Sequence, residues 1–297
     1  MSASSARLQL LLAAALFSTG GVAIKATTLA SWQVASFRSG VAALSVALLV
    51  PASRRGWSWR TLAVGFIYAG TMVLFVVANK LTTAANAIFL QAAAPLYILV
   101  LAPILLRERI TRADVGVMMA VAAGLALVFS GTVAATETAP NPALGNIFGA
   151  AAGVCWAGTV MGLRWLSNTT DSPDAPLATV VVGNSLAFLL CLPLALPVIG
   201  GTPLDLGLIV YLGVFQVGLA YFFVVRGIRG VPALEASLLL LLEPALNPVW
   251  TWLVHGEEPG RWAAAGGLII LAATGIRAWV SSLPGGRSLT PPEPMPD

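Results

Sequence analysis

From its first turn almost to its end, the chain alternates long apolar runs with short polar breaks. Ten runs stand out: Leu8–Ile24, Val34–Val50, Thr61–Ala78, Ala84–Leu105, Ala113–Ser130, Leu144–Trp165, Leu177–Ile199, Leu206–Val225, Ala233–Val254 and Trp262–Ser281. Each is near the ~20 residues that carry an α-helix across ~30 Å of hydrocarbon. Helix is the required form, because a lone strand would leave its peptide groups without partners in lipid. The breaks are too short to hold a soluble domain. The expected fold is an all-α integral membrane protein of ten transmembrane helices. Residues 283–297, rich in Pro and Gly, are expected to form a disordered cytoplasmic tail.

The two halves echo each other. Ala93–Leu127 aligns without a gap on Leu242–Ile276, which sets Pro95 over Pro244, Glu108 over Glu257 and Arg112 over Arg261. A unit with an odd number of spans crosses the membrane in opposite directions in its two copies. The expectation is two inverted five-helix repeats, residues 1–139 and 140–282. Carriers built this way hold their substrate between the repeats near mid-membrane. With the N-terminus inside, Arg7, Arg54, Arg55, Arg60, Arg164, Arg226 and Arg229 are among the inner charges. Lys25, Arg38, Lys80 and Arg261 are the outer ones. That bias puts both termini in the cytoplasm.

Composition removes the soluble alternative. The chain is 58% hydrophobic and 9% charged, against about 25% charged in a typical soluble domain. Its net charge of +4 sits in short loops, which reads as membrane orientation and not as nucleic-acid binding. Cys155 and Cys191 lie inside apolar runs, with no disulfide framework or CxxC spacing. No GxSxG, HExxH or Walker motif is present, so neither an enzyme nor an ATP-driven pump is expected. His255 stands beside Glu257 and Glu258 without further ligand types, so no metal is expected, and no cofactor.

Polar groups inside a bilayer are costly and are functional candidates by default. Glu243 is the sharpest, in the body of span nine between a leucine run and Pro244. Asn247 is one turn later on the same face. Pro244 and Pro248 each remove a backbone donor and free an upstream carbonyl. Span four carries Pro95 and Pro103, with Gln91 one turn before the first and Tyr97 available to stack on an apolar group. Tyr68, Met72, Phe75 and Asn79 form a stripe in span three, and Gln216, Ala220 and Phe223 one in span eight. Trp156 aligns with Phe17 across the repeat, and Arg164 with Lys25. The candidate substrate-binding set is Glu243, Asn247, Asn79, Gln91, Tyr97, Gln216, Trp156, Tyr68 and Phe75. The candidate hinges are Pro95, Pro103, Pro244 and Pro248. Lys25 and Arg38 could attract a carboxylate from outside, or serve only as snorkelling anchors. Gly149 with Gly153, and Gly158 with Gly162, have small-xxx-small spacing, which fits spans of one chain or a homodimer.

The tandem units, the AxxP stretch followed by Arg107–Arg109, and the Glu243-Pro244, Asn247-Pro248 stretch followed by His255–Pro259 resemble the drug/metabolite transporter superfamily in its EamA-type branch. That family places a Gly-Glu pair after the fourth helix of each repeat. The second half keeps it as Gly256-Glu257, and the first has Arg107-Glu108. Length, loop sizes and aromatic content are similar to YddG-type amino-acid exporters. The resemblance implies a multi-pass protein of a bacterial inner membrane that exports aromatic and other neutral amino acids by alternating access. Sugars, nucleotide sugars, purines and cationic drugs are the alternatives that the same architecture serves.

Overall fold

The computed structural model describes residues 3–105, 112–130, 135–169, 175–198 and 200–282. Arg107, Glu108, Arg109 and the tail 283–297 lie outside them. Among the described residues the structure is helical, without a strand. Among the described residues the helices group into ten rods. These are α1 (Ala3–Ser18, continued by Gly20–Ala26), α2 (Ser31–Leu49), α3 (Trp59–Leu81), α4 (Ala84–Gln91, continued by Ala94–Leu105) and α5 (Arg112–Ser130). Then come α6 (Pro142–Thr169), α7 (Ala175–Ala195), α8 (Pro203–Gly227), α9 (Ala233–Leu239, continued by Leu242–His255) and α10 (Arg261–Ser282). Among the described residues seven rods, α1 to α3 and α6 to α9, are long and apolar enough to cross a membrane.

Polar residues set the ends. Ser58 accepts the Thr61 amide at 3.2 Å while the Thr61 hydroxyl accepts the Ser58 amide at 2.7 Å, a reciprocal cap that starts α3. Thr202 and Asp205 cap the start of α8 in the same way. Trp57 and Trp59 are exposed at the start of α3, where the Arg60 guanidinium lies 5.7 Å from the Trp59 ring and 5.4 Å from that of Trp165. An amphipathic ring at a span end suits the membrane interface. Leu48, Phe66, Ile104, Leu189 and Leu253 are exposed along the rods. In water such a surface would aggregate, whereas in lipid it meets acyl chains.

The rods pack across the halves more than within them. α1 lies on α8 and α9, while α6 lies on α3 and α4; α2 lies on α7 and α8, and α3 on α7; α5 and α10 pair with each other. Exchange the halves (α1 for α6, α2 for α7 and so on) and the pairing list returns to itself. Small residues permit the closest approaches. A side chain on Gly153 would meet the Leu90 carbonyl at 2.8 Å, and one on Gly162 the Val64 side chain at 2.5 Å. Gly149 and Gly158 face Leu90 and Ile67. Both small-xxx-small pairs of α6 are thus used inside the chain, against α4 and α3.

Besides the one-residue break of α1 at Thr19, three described rods depart from regular helix, at prolines or at a wider turn. α4 breaks at Ala92–Ala93, one turn before Pro95, and α9 at Leu240–Leu241, one turn before Pro244. The ring of each proline denies an amide to the turn before it. The chain there tightens to three-residue hydrogen bonds, from Ala93 to Leu90 and from Glu243 to Leu240. α8 widens into a π-turn over Leu212–Leu219. Pro103 and Pro248 sit inside continuous helices.

Candidate functional site

The two proline breaks and the π-turn surround one cavity. It is lined by Phe17 of α1, Arg38 of α2, Met72 and Phe75 of α3, Gln91 of α4 and Trp156 of α6. Gln216, Val217 and Tyr221 of α8 and Glu243 of α9 complete it. Its volume is about 20 Å³, room for about one water and far below the ~300 Å³ at the lower end of small-molecule sites. A second cavity of about 10 Å³ shares Gln91, Trp156 and Glu243 and adds Pro95, Pro244, Ile88, Ala94 and Leu240. The protein is closed around this place.

Of the nine residues singled out from sequence, Glu243, Gln91, Gln216, Trp156 and Phe75 meet on the cavity. The aromatic groups form one cluster. The Phe17 and Trp156 rings, paired across the two halves, lie edge to face 6.1 Å apart. Tyr221 sits 5.1 Å from Phe17, 6.1 Å from Trp156 and 4.5 Å from Tyr68. Tyr68 stands behind the lining, fully buried, and its hydroxyl accepts a hydrogen bond from Asn184 at 2.7 Å. Asn79 is turned onto its own helix, donating to the Phe75 carbonyl at 3.2 Å. Asn247 is one turn from Glu243 but packs against Gly21, with neither amide atom partnered. Tyr97 is half-buried against the apolar core and does not line the cavity. The prolines divide likewise: Pro95 and Pro244 line the smaller cavity, while Pro103 and Pro248 line neither.

Gln216 is held by local geometry. Its amide nitrogen donates to the Phe17 carbonyl at 3.4 Å and fills the space where a side chain on Gly20 would be, while its oxygen has no partner. The π-turn aims Gln216 and Val217 inward together. Such turns often occur at functional sites, and no residue pattern in α8 announces one.

Arg38 corrects the sequence expectation. Read as an outer charge that could snorkel, it is 1% exposed inside α2. Its Nη2 donates to the Met72 carbonyl at 2.8 Å, and its Nε has no partner. It faces Tyr68, Tyr221, Cys191 and Glu243 electrostatically. Among the described residues the ion pairs are Arg7–Glu235 and Lys25–Glu257, so Arg38 and Glu243 share the cavity without joining.

Those two ion pairs close opposite ends. At one end Gly256 stops α9 with a left-handed backbone, φ 63°, which only glycine adopts without strain. The turn brings Glu257 onto Lys25 at 3.0 Å, and its other oxygen accepts the Ala84 amide at the start of α4 at 2.6 Å. Lys25 also donates to the Thr82 and Thr138 carbonyls, and His255 lies 2.9 Å from the Val22 carbonyl. His255 is thus occupied in closing the end, and among the described residues no group of metal-ligating side chains forms. At the other end Arg7 meets Glu235 at 2.7 Å, and Arg164 donates to the Ile228 and Arg229 carbonyls. Arg164 therefore does for α8 what Lys25 does for α3.

A larger groove of about 720 Å³ opens on the flank between α2, α7 and α8, lined chiefly by Leu29, Phe37, Val41, Leu44, Phe188 and Leu206. It is nearly all apolar and open, as a surface facing acyl chains should be. The central cavity has the convergent polar groups that a binding site needs.

The EamA-like transporter family matches twice, over residues 4–130 and 143–277. This chain belongs to the EamA-like transporter family. It is a multi-pass membrane protein and a transporter of the drug/metabolite type. A solved structure described only as a crystal structure of a protein superposes with a TM-score of 0.67. It is 19% identical and covers 93% of this chain and 97% of its own. That likeness is one of fold. No curated protein matches the chain.

Proposed function

We propose that this EamA-family protein exports a small amphipathic metabolite, an amino acid with an aromatic or other neutral side chain, across a bacterial inner membrane. The observation that carries the reading is the central cavity. Glu243, Gln91 and Gln216 converge there with Phe17, Phe75, Trp156 and Tyr221, where helices of both halves meet. Glu243 receives the substrate ammonium or a coupling proton. The glutamines hydrogen-bond its polar end, and the rings take its side chain. A carboxylate kept in a membrane interior is worth its cost when it serves such a step.

Two inverted units of five spans would exchange access between the ends. The double family match and the exchange symmetry of the helix pairing support this reading. The arginine-rich end, with Arg7 and Arg164, is then cytoplasmic and the Lys25–Glu257 end faces out. With both ends closed, the conformation is an occluded one, and α4 and α9 reopen it by bending at Pro95 and Pro244.

The test is counterflow in proteoliposomes of labelled threonine, methionine and phenylalanine beside a sugar and a purine base, at two pH gradients. Saturable amino-acid flux absent from empty liposomes is the expected result. Flux of only the sugar or the base would keep the carrier and overturn the amino-acid assignment.

A further inference from the structure

Among the described residues Arg38 is the one cation on the cavity wall, and the fold leaves it incomplete. It is 1% exposed, on a helix apolar enough to cross a membrane. A buried charge is strongly unfavourable unless it is paired and hydrogen-bonded. Yet the described contacts of its guanidinium are a carbonyl, Met72 O, and a long approach to the Met72 sulfur at 4.0 Å. Nε has no partner. Glu243, the acid on the same wall, does not pair with it. Had Arg38 only a structural task, the natural arrangement would be an Arg38–Glu243 ion pair, as Lys25 and Glu257 form at 3.0 Å. Instead the two groups line one cavity without joining.

A guanidinium presents its donors as a planar fork that fits a carboxylate through two parallel hydrogen bonds. We propose that Arg38 is the carboxylate-binding residue of the transport site, so that the substrate is a zwitterion whose carboxylate sits on Arg38 and whose ammonium sits toward Glu243. This rests on the reading of the central cavity as the transport site and adds the substrate's second pole to it. An α-amino acid carries both charges on one carbon, which suits opposite charges in one small space. The rings of the central cavity, extended by the adjoining wall of Ile88, Ala94, Leu240, Pro95 and Pro244, then take the side chain once α4 and α9 have bent to widen the site. A cation lacking the carboxylate would leave Arg38 unpaired and add repulsion. A dicarboxylate would place a second anion beside Glu243.

The experiment measures ligand protection against thermal unfolding of the purified full-length protein in detergent. The probes are phenylalanine, 3-phenylpropanoate (carboxylate only) and phenethylamine (ammonium only). The proteins are wild type, Arg38→Gln and Arg38→Lys. Arg38→Gln should bind phenylalanine and 3-phenylpropanoate at least about tenfold more weakly, as loss of a charged hydrogen bond implies. Its response to phenethylamine should stay the same or improve, and Arg38→Lys should retain part of the carboxylate binding. Should Arg38→Gln not fold, Arg38→Lys gives the same comparison. The proposal is overturned if a cooperatively melting variant binds the carboxylates as wild type does. It is equally overturned if all three probes weaken together, or if wild type responds to none. Counterflow reads the transport reading separately: a wild type that binds phenylalanine through Arg38 and moves none leaves Arg38 in place and removes the carrier assignment for amino acids.

Discussion

Arg38 and Glu243 differ in how far the sequence reveals them. Glu243 lies between a leucine run and a proline, so its depth follows from position alone. Arg38 is seven residues into α2, and a long arginine stem reaches water from that depth if it points outward. Only its neighbours on α3, α8 and α9 decide that it points inward. The same holds for Asn79 and Asn247. Helical spacing gave each a plausible face, but Asn79 folds back onto the Phe75 carbonyl and Asn247 is spent on the gap at Gly21. Close packing makes a sharper prediction at this scale. A side chain on Gly183 would meet the Tyr68 ring at 2.5 Å and the Gly65 carbonyl at 2.9 Å, whereas Gly116 has nothing within 4 Å. Gly183→Ala should cost about 1–3 kcal/mol by overpacking and lower the melting midpoint in detergent. Gly116→Ala should leave the midpoint unchanged or raise it.

Helices as units were largely legible, because apolar runs of membrane length have few alternatives. Their breaks were legible in part. Pro95 and Pro244 sit one turn after the interruptions of α4 and α9, while Pro103 and Pro248 are absorbed into continuous helix. Both kinds of proline read alike in sequence, since tertiary packing decides which carbonyls find other donors. The π-turn of α8 leaves no trace in residue type. The Gly-Glu pair was visible as a motif, yet its work emerges only in three dimensions. Gly256 turns the chain so that Glu257 ties the ends of α1, α4 and α9. Lys25 and Glu257 side chains are 3% and 7% exposed, so breaking the pair should cost about 3–5 kcal/mol. Unfolding titrations of Lys25→Met, Glu257→Gln and the double variant should therefore be far from additive. The second change should cost much less once the first has been made. Additive losses would mean that the pair does not hold this end. Substituting Glu257 should also speed modification of a cysteine introduced at Gln91, if this end is one of the two doors.

The whole molecule interleaves its halves so that each helix of one half rests on helices of the other. The alignment of Pro95 with Pro244 anticipates two similar halves, but not which helices pair between them, and so not where the cavity lies. Closure at both ends leaves a site that holds about one water, the state that the proposed exchange of access passes through between its two openings. The proposed transport requires Glu243 to face the substrate in that site. Counterflow of labelled phenylalanine by wild type and Glu243→Gln, each first checked for cooperative melting, tests it most directly. Saturable flux is expected in wild type and at least about tenfold less in Glu243→Gln, the size expected when a charged hydrogen bond to substrate is lost. Equal flux in the two proteins at every pH would contradict it and move the transport site elsewhere.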